Sequence, residues 1–170
     1  MLSNLIINGK KYSIVRLLGK GKSAYSYLVK SDNKLFVAKV IYHEKCDYYE
    51  FGNDKLLPEI KDYEILKSLK IRIPLLLDVD YGREIILKEF ILGETIKEQI
   101  DQGSFDQKYL DQIEKMSITL KENDLNIDYY PTNFIVYHEE VYYIDYECNK
   151  FDERWSYENW GKAFYSLQKL

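Results

Sequence analysis

The sequence predicts an α+β protein, with a β-rich N-terminal part followed by a helical C-terminal part. Three observations carry this. Turn-forming clusters punctuate short apolar runs through about residue 91. Tyr109, Leu110, Ile113, Met116 and Leu120 then repeat with the period of a helix. Further on, two apolar runs flank His138-Glu139-Glu140 as a second hairpin would. The expected parts are residues 1–91 and 92–170.

The elements follow in order. Leu5-Ile6-Ile7 and the run from Lys11 to Leu18 flank Asn8-Gly9-Lys10, and Asn-Gly between apolar runs signals a hairpin. Tyr25 to Lys30 and Leu35 to Tyr42 flank a second turn at Ser31-Asp32-Asn33-Lys34, so the first 42 residues read as an antiparallel meander. Tyr42 to Gly52 has no clear period and reads as loop. Leu57 to Leu69 reads as a helix, with Pro58 in its first turn and Ile65, Leu66 and Leu69 on its apolar side. Ile71 to Leu77 contains Pro74 and crosses toward a turn at Asp80-Tyr81-Gly82-Arg83; Glu84 to Ile91 is the next strand. The sum is a five-stranded antiparallel sheet with one helix. Leu92-Gly93-Glu94 reads as a hinge. Ser104-Phe105-Asp106-Gln107 has capping-box spacing ahead of the helical stripe. Phe134 to Tyr137 and Val141 to Tyr146 form the later hairpin, and Trp155 to Leu170 reads as a closing helix with Trp160, Phe164 and Leu167 on one side.

Composition narrows the class. A chain of 170 residues makes one or two small domains with an ordinary core. The net charge of −4 and the scatter of the 24 Lys and Arg argue against a nucleic-acid binder. Seventeen Tyr fit strand and interface packing. Cys46 and Cys148 are far apart, and neither they nor His43 and His138 have metal-ligand spacing, so no disulfide framework or zinc site is expected. No signal peptide is visible, and no apolar run approaches the roughly 20 residues of a membrane span. The expectation is a cytoplasmic protein with no membrane partner.

The chemistry concentrates near the C-terminus. In Ile127-Asp128-Tyr129-Tyr130-Pro131-Thr132-Asn133 an Asp and an Asn lie five positions apart, and Asp145 ends an apolar run twelve residues later. Phosphoryl transfer needs this set: a carboxylate to orient the acceptor hydroxyl, and an amide and a carboxylate to hold magnesium on the phosphates. Upstream, Leu18-Gly19-Lys20-Gly21-Lys22-Ser23-Ala24 is a glycine turn between two strands, which argues against a dinucleotide fingerprint opening a helix. Lys39 lies inside the strand Val37-Ala38-Lys39-Val40-Ile41, where it either points to solvent by alternation or is buried with a partner.

The order of glycine turn, strand Lys, acidic helix, Asp…Asn and Asp resembles the protein kinase-like superfamily, over about Tyr12 to Glu147. The resemblance implies a two-lobed kinase-like fold, with ATP in the cleft between a nucleotide-binding N-terminal lobe and a truncated helical C-terminal lobe carrying a catalytic β-hairpin. It makes Asp128 the base and Asn133 and Asp145 the Mg2+ ligands. Gly19 and Gly21 would place backbone amides on phosphate oxygens, and Lys39 would bind the α- and β-phosphates. Either Asp62 or Glu59 would pair with Lys39. Glu89 and Ile91 would offer backbone groups to adenine, and Glu94 would meet ribose.

The chain departs from the family pattern at several positions. The third glycine is Ala24, and Ser26 replaces the expected Val. Asn126 stands where His is usual, Tyr130 where many members carry Lys, and Asp145-Tyr146-Glu147 replaces Asp-Phe-Gly. Only 23 residues follow Glu147, too few for a peptide-docking subdomain, so the resemblance is to minimal kinases such as the RIO-type and lipopolysaccharide kinases and the aminoglycoside phosphotransferases. The expected activity is ATP- and Mg2+-dependent phosphotransfer to a hydroxyl, with a serine/threonine protein kinase acting on a protein substrate first. The alternatives are a small-molecule kinase and a nucleotide-binding pseudokinase or adaptor.

Overall fold

A computed structural model describes residues 3–43 and 55–165. The chain divides into two compact units, residues 1–60 with 74–90 and residues 61–73 with 91–170.

The first unit holds a six-stranded antiparallel sheet. Its strands are β1 (Asn4–Ile7), β2 (Lys10–Lys20), β3 (Ala24–Ser31), β4 (Lys34–Ile41), β5 (Leu76–Asp80) and β6 (Ile85–Glu89), in the order β1-β2-β3-β4-β6-β5. Two turns have the backbone their sequences demand. Asn8 and Gly9 have φ of 45° and 81°, and Asp32 and Asn33 have 50° and 60°. Both are two-residue connections whose twist matches the flanking strands. The expected five strands become six because Leu76–Asp80 pairs with β6 across a register shift at Leu76/Asp78. Pro74 and the broken alternation hid this edge strand.

Alternation sorts β4 between two faces. Ala38 joins Ile7, Tyr12, Val29, Ile85 and Leu87 in one core, with the Phe36 ring edge-on to Tyr12 at 5.7 Å. Val37, Lys39 and Ile41 face the other way, beside Leu28, Ile86 and Lys88. The sheet curls until its edges meet. The Asn8 amide nitrogens, in the β1–β2 turn, donate to Asp80 (2.9 Å), Asp78 (2.8 Å) and the Val79 carbonyl (3.0 Å). The Asn8 backbone N–H first, and then Arg83, hold the Asp80 carboxyl below its ordinary pKa.

Helix α1 (Leu56–Ser68) follows the expected segment. Residues 56–60 belong to the first unit and the rest to the second. The second unit adds β7 (Glu94–Thr95), α2 (Ile96–Gln102), α3 (Lys108–Glu122), β8 (Leu125–Ile127), β9 (Phe134–Tyr137), β10 (Glu140–Tyr143) and β11 (Cys148–Lys150). Strands β10, β9 and β7 form one sheet, and β11 pairs with β8. The stripe of α3 supplies Leu110, Ile113, Met116 and Leu120 to a core shared with Leu66, Ile96, Phe134 and Tyr143. No helix among the described residues is long and apolar enough to cross a membrane.

Two expected elements differ. The capping box belongs to α2, not α3. The Thr95 hydroxyl accepts from Glu98 N–H at 3.1 Å, and the Glu98 carboxylate accepts from Thr95 N–H at 2.7 Å. Ser104 instead closes the end of α2, where Gly103 is left-handed and the Ser104 N–H reaches the Gln99 carbonyl at 2.9 Å. The closing helix is replaced over its described part by two 3-10 turns, Glu153–Trp155 and Gly161–Tyr165; Leu167 lies outside the described residues. Ring contacts among Trp155, Trp160 and Phe164 satisfy the spacing that suggested a helix. Cys46 and most of the segment Tyr42 to Gly52 are also outside the described residues.

Gly93 packs directly on the edge of β9. A Cβ there would lie 2.1 Å from the Val136 carbonyl oxygen. Gly93→Ala is expected to cost about 3 kcal/mol, the upper range for overpacking. Gly19→Ala, where a Cβ meets nothing within 4 Å, is expected to be near neutral. Denaturant midpoints test both, and equal midpoints would contradict the close approach.

Candidate functional site

In the first unit the site is built on β4. Lys39 lies opposite Ser26 and Ile86 in the sheet, between the buried Val37 and Ile41. Its ammonium is 2.8 Å from a Glu59 carboxylate oxygen in the first turn of α1, and the two side chains are only 16% and 11% exposed. A lysine so far from water is stabilised by such a partner. A second link runs parallel to it. Lys55, just before α1, donates to the Tyr42 carbonyl just after β4 at 2.7 Å.

Asp62 has a different role, within the second unit. Its carboxylate accepts the Cys148 N–H at 3.2 Å. Burial first, and Asp62 next, push the Cys148 thiol up to about 12, which disfavours the thiolate form. The two acids are three residues apart on one helix, and the structure separates their tasks.

The glycine turn joins β2 to β3, with Gly19 opposite Ser26 and Lys20 opposite Tyr25. The Gly21 N–H, expected to be open for phosphate, donates to the Ala24 carbonyl at 2.8 Å. Tyr42 staples the turn: its N–H reaches the Ser23 carbonyl at 2.9 Å and its hydroxyl the Gly21 carbonyl at 2.7 Å. The Lys20 ammonium lies over the rings of Tyr25 and Tyr42. The Lys22 and Ser23 amides make no hydrogen bond among the described residues. They are the open donors of this turn.

The expected adenine contacts are mixed. The Glu89 N–H donates to the Leu75 carbonyl at 2.9 Å, and the Glu89 carboxylate accepts from Leu75 N–H at 3.1 Å. The Glu89 amide is therefore engaged by its own sheet. Ile91 is buried, and its backbone N–H and C=O have no hydrogen-bond partner among the described residues. Glu94 is exposed on β7.

In the second unit, β8 delivers Asp128 to an exposed loop. One carboxylate oxygen of Asp128 accepts from Tyr130 N–H at 3.0 Å, and the other makes no hydrogen bond among the described residues. Pro131 then opens a 3-10 turn ending at Asn133. The Asn133 side-chain NH2 donates to the Asp128 carbonyl at 3.3 Å. This turns its Oδ1 away, and that oxygen makes no hydrogen bond among the described residues. The Asn133 carbonyl accepts from Ile144 N–H at 2.9 Å, which brings the β10 end beside it. Asp145 follows directly, with one carboxylate oxygen fixed by Tyr146 N–H at 2.8 Å. Asp128, Asn133 and Asp145 thus belong to one bonded set of loops.

The donor chemistry of Asn133 and Asp145 suits a hard divalent cation that keeps water and phosphate as its other ligands. Among the described residues no group of three or more His, Cys, Asp or Glu could hold a metal ion.

Sequence reasoning missed several supports. Buried Asn126 donates to the Asp152 carbonyl at 2.8 Å. The Tyr165 hydroxyl donates to the Tyr129 carbonyl, next to Asp128, at 2.6 Å. Tyr143 is fully buried, and its hydroxyl donates to the Glu147 carbonyl at 2.8 Å. Burial, followed by the Asp145 charge, raises the Tyr143 phenol well above its ordinary range, so it stays a neutral O–H. The only signal for these roles was the number of Tyr around the loops.

No protein-family model matches this chain, and no curated protein matches it.

The Lys39–Glu59 pair yields a direct test. Glu59→Ala is expected to destabilise the protein by about 3 kcal/mol, the scale for breaking a buried ion pair. Urea unfolding measures this, and an unchanged midpoint would show that the pair contributes nothing.

Proposed function

We propose that this protein is an ATP- and Mg2+-dependent phosphotransferase that passes the γ-phosphate to a hydroxyl group, with serine or threonine of a protein as the acceptor. The carrying observation is the bond from the Asn133 side chain to the Asp128 carbonyl, made while the Asn133 carbonyl receives Ile144 N–H. That geometry supports a base and two metal-binding oxygens acting as one set.

In the proposed reaction the free carboxylate oxygen of Asp128 accepts the acceptor's hydroxyl proton. The Tyr130 N–H on the other oxygen orients that carboxylate. Asn133 Oδ1 and the Asp145 carboxylate would hold magnesium, which when bound offsets charge on the phosphates. Lys39, steadied by Glu59, would contact the α- and β-phosphates. The Lys22 and Ser23 amides are the phosphate donors left in the glycine turn, and the open Ile91 N–H and C=O suit an adenine edge. The choice of a protein acceptor rests on fold-level resemblance.

A nucleotide-binding adaptor without turnover is the second reading. It is favoured by the closed Gly21 amide and by Tyr130 standing where a cation would assist transfer. Purified protein incubated with labelled ATP and magnesium, alone and with cell lysate, separates the two. Label on protein supports the first reading. Magnesium-dependent nucleotide binding without any label transfer supports the second.

Asp128→Asn keeps size and loses the carboxylate. Turnover is expected to fall by roughly 10²–10⁴, the range for general acid–base groups, with ATP affinity near wild type. Steady-state kinetics beside a binding isotherm measure this, and unchanged turnover would remove Asp128 from the chemistry. Asp145→Ala is expected to abolish magnesium-dependent nucleotide binding while leaving a folded protein. Calorimetry with and without magnesium checks it, and retained magnesium dependence would sink the ligand assignment.

A further inference from the structure

We infer that Tyr165 is a positioning residue for Asp128: its hydroxyl fixes the peptide group whose N–H holds the Asp128 carboxylate. The inference rests on the phosphotransfer reading of Asp128 and deepens it.

The contact runs through a single peptide group. The carbonyl of Tyr129 and the N–H of Tyr130 are its two ends, and in a planar trans peptide they point in opposite directions. The N–H end donates to an Asp128 carboxylate oxygen at 3.0 Å. The carbonyl end accepts from the Tyr165 hydroxyl at 2.6 Å. A carbonyl has no proton to give, so the phenol is the donor. Hydrogen bonds in series polarise one another, so the Tyr165 bond both aims the N–H and strengthens its bond to Asp128. Hydroxyl, peptide and carboxylate form one chain that ends on the proposed base.

The neighbouring carbonyls find their partners nearby. The Asp128 carbonyl accepts the Asn133 side-chain NH2 at 3.3 Å, and the Tyr130 carbonyl accepts the Asn133 N–H at 2.9 Å. The Tyr129 carbonyl between them instead takes a hydroxyl from 36 positions along the chain, in a buried bond. Without that hydroxyl it would be a buried acceptor lacking a donor, which is unfavourable. Turning the peptide to relieve it would carry the Tyr130 N–H away from Asp128. The segment bearing Tyr165 is seated on the same two residues. The Tyr157 ring meets the Tyr129 ring edge-on at 5.6 Å, and the Phe164 ring meets Tyr130 in the same way at 4.9 Å. A Cβ on Gly161 would lie 2.6 Å from the Tyr129 Cβ, so the segment rests directly against that residue. Tyr165→Phe removes one oxygen and keeps the ring that packs here.

In Tyr165→Phe the Tyr130 amide is expected to exchange with solvent about tenfold faster than in wild type, measured without nucleotide. Turnover is expected to fall about tenfold with the KM for ATP unchanged, the scale of one hydrogen bond. The same change is then made in Asp128→Asn, where the carboxylate is already gone. There it is expected to lower turnover no further, because residues acting through one group are not additive. A hydroxyl that only stabilised the fold would cost the same factor of turnover with or without the carboxylate, and that result would overturn the inference. So would an unchanged Tyr130 amide in Tyr165→Phe. Free exchange of the Tyr130 amide in wild type would overturn it without any variant. If wild type transfers no phosphate, the phosphotransfer reading fails, and exchange at Tyr130 still decides whether Tyr165 fixes this peptide.

Discussion

Asn133 is the residue on which the second unit's loops depend. Its N–H closes a turn onto the Tyr130 carbonyl at 2.9 Å, its carbonyl takes Ile144 N–H, and its side chain takes the Asp128 carbonyl. Three bonds from one residue fix the ends of three chain segments. Backbone polar groups in a loop this close to a core must find partners, and an asparagine supplies a donor without adding bulk. Replacing it with a residue of similar size but no side-chain amide would remove the bond to the Asp128 carbonyl and leave the two backbone bonds in place. The same demand explains its chemical availability: with the NH2 spent on Asp128, the remaining oxygen has no protein donor among the described residues.

The loops are also supported from behind by aromatic residues. Tyr165 holds the Tyr129 carbonyl, and Gly161 approaches so closely that a Cβ there would lie 2.6 Å from the Tyr129 Cβ. Tyr129, Tyr143, Tyr146 and Tyr157 are all essentially without exposed surface. A tyrosine adds a rigid ring to the core and one hydroxyl that can satisfy a loop carbonyl, which suits it to the border between packed interior and irregular backbone. The abundance of Tyr thus reflects how this unit braces its loops as well as how it fills its core.

Much of this was legible in the sequence, for physical reasons that differ by element. Asn8-Gly9 and Asp32-Asn33 declare their hairpins because few residues adopt left-handed backbone at consecutive positions. The α3 stripe declares its helix because five apolar residues share one face. β5 was hidden by a bulge and a nearby proline, and the capping box was misplaced because Thr95 and Ser104 both satisfy the same spacing rule. Between Glu59 and Asp62 spacing could not choose, since residues three apart share a helix face. Only tertiary placement assigned one to Lys39 and the other to the Cys148 amide. Tyr142 and Tyr143 alternate across a strand, and no local rule says which faces the core.

The first unit constrains how the proposed reaction could balance charge. The Gly21 amide is internally bonded, and the Glu89 amide belongs to the sheet. A triphosphate would then rely on fewer protein donors than a glycine-rich loop with every amide open. Lys39 becomes more important for that reason. Its two supports, Glu59 on the side chain and the neighbouring Lys55–Tyr42 link between the end of β4 and the start of α1, hold strand and helix in register. Rigidity of this kind favours electrostatic contacts, because a preorganised charge needs no reorganisation when the ligand arrives.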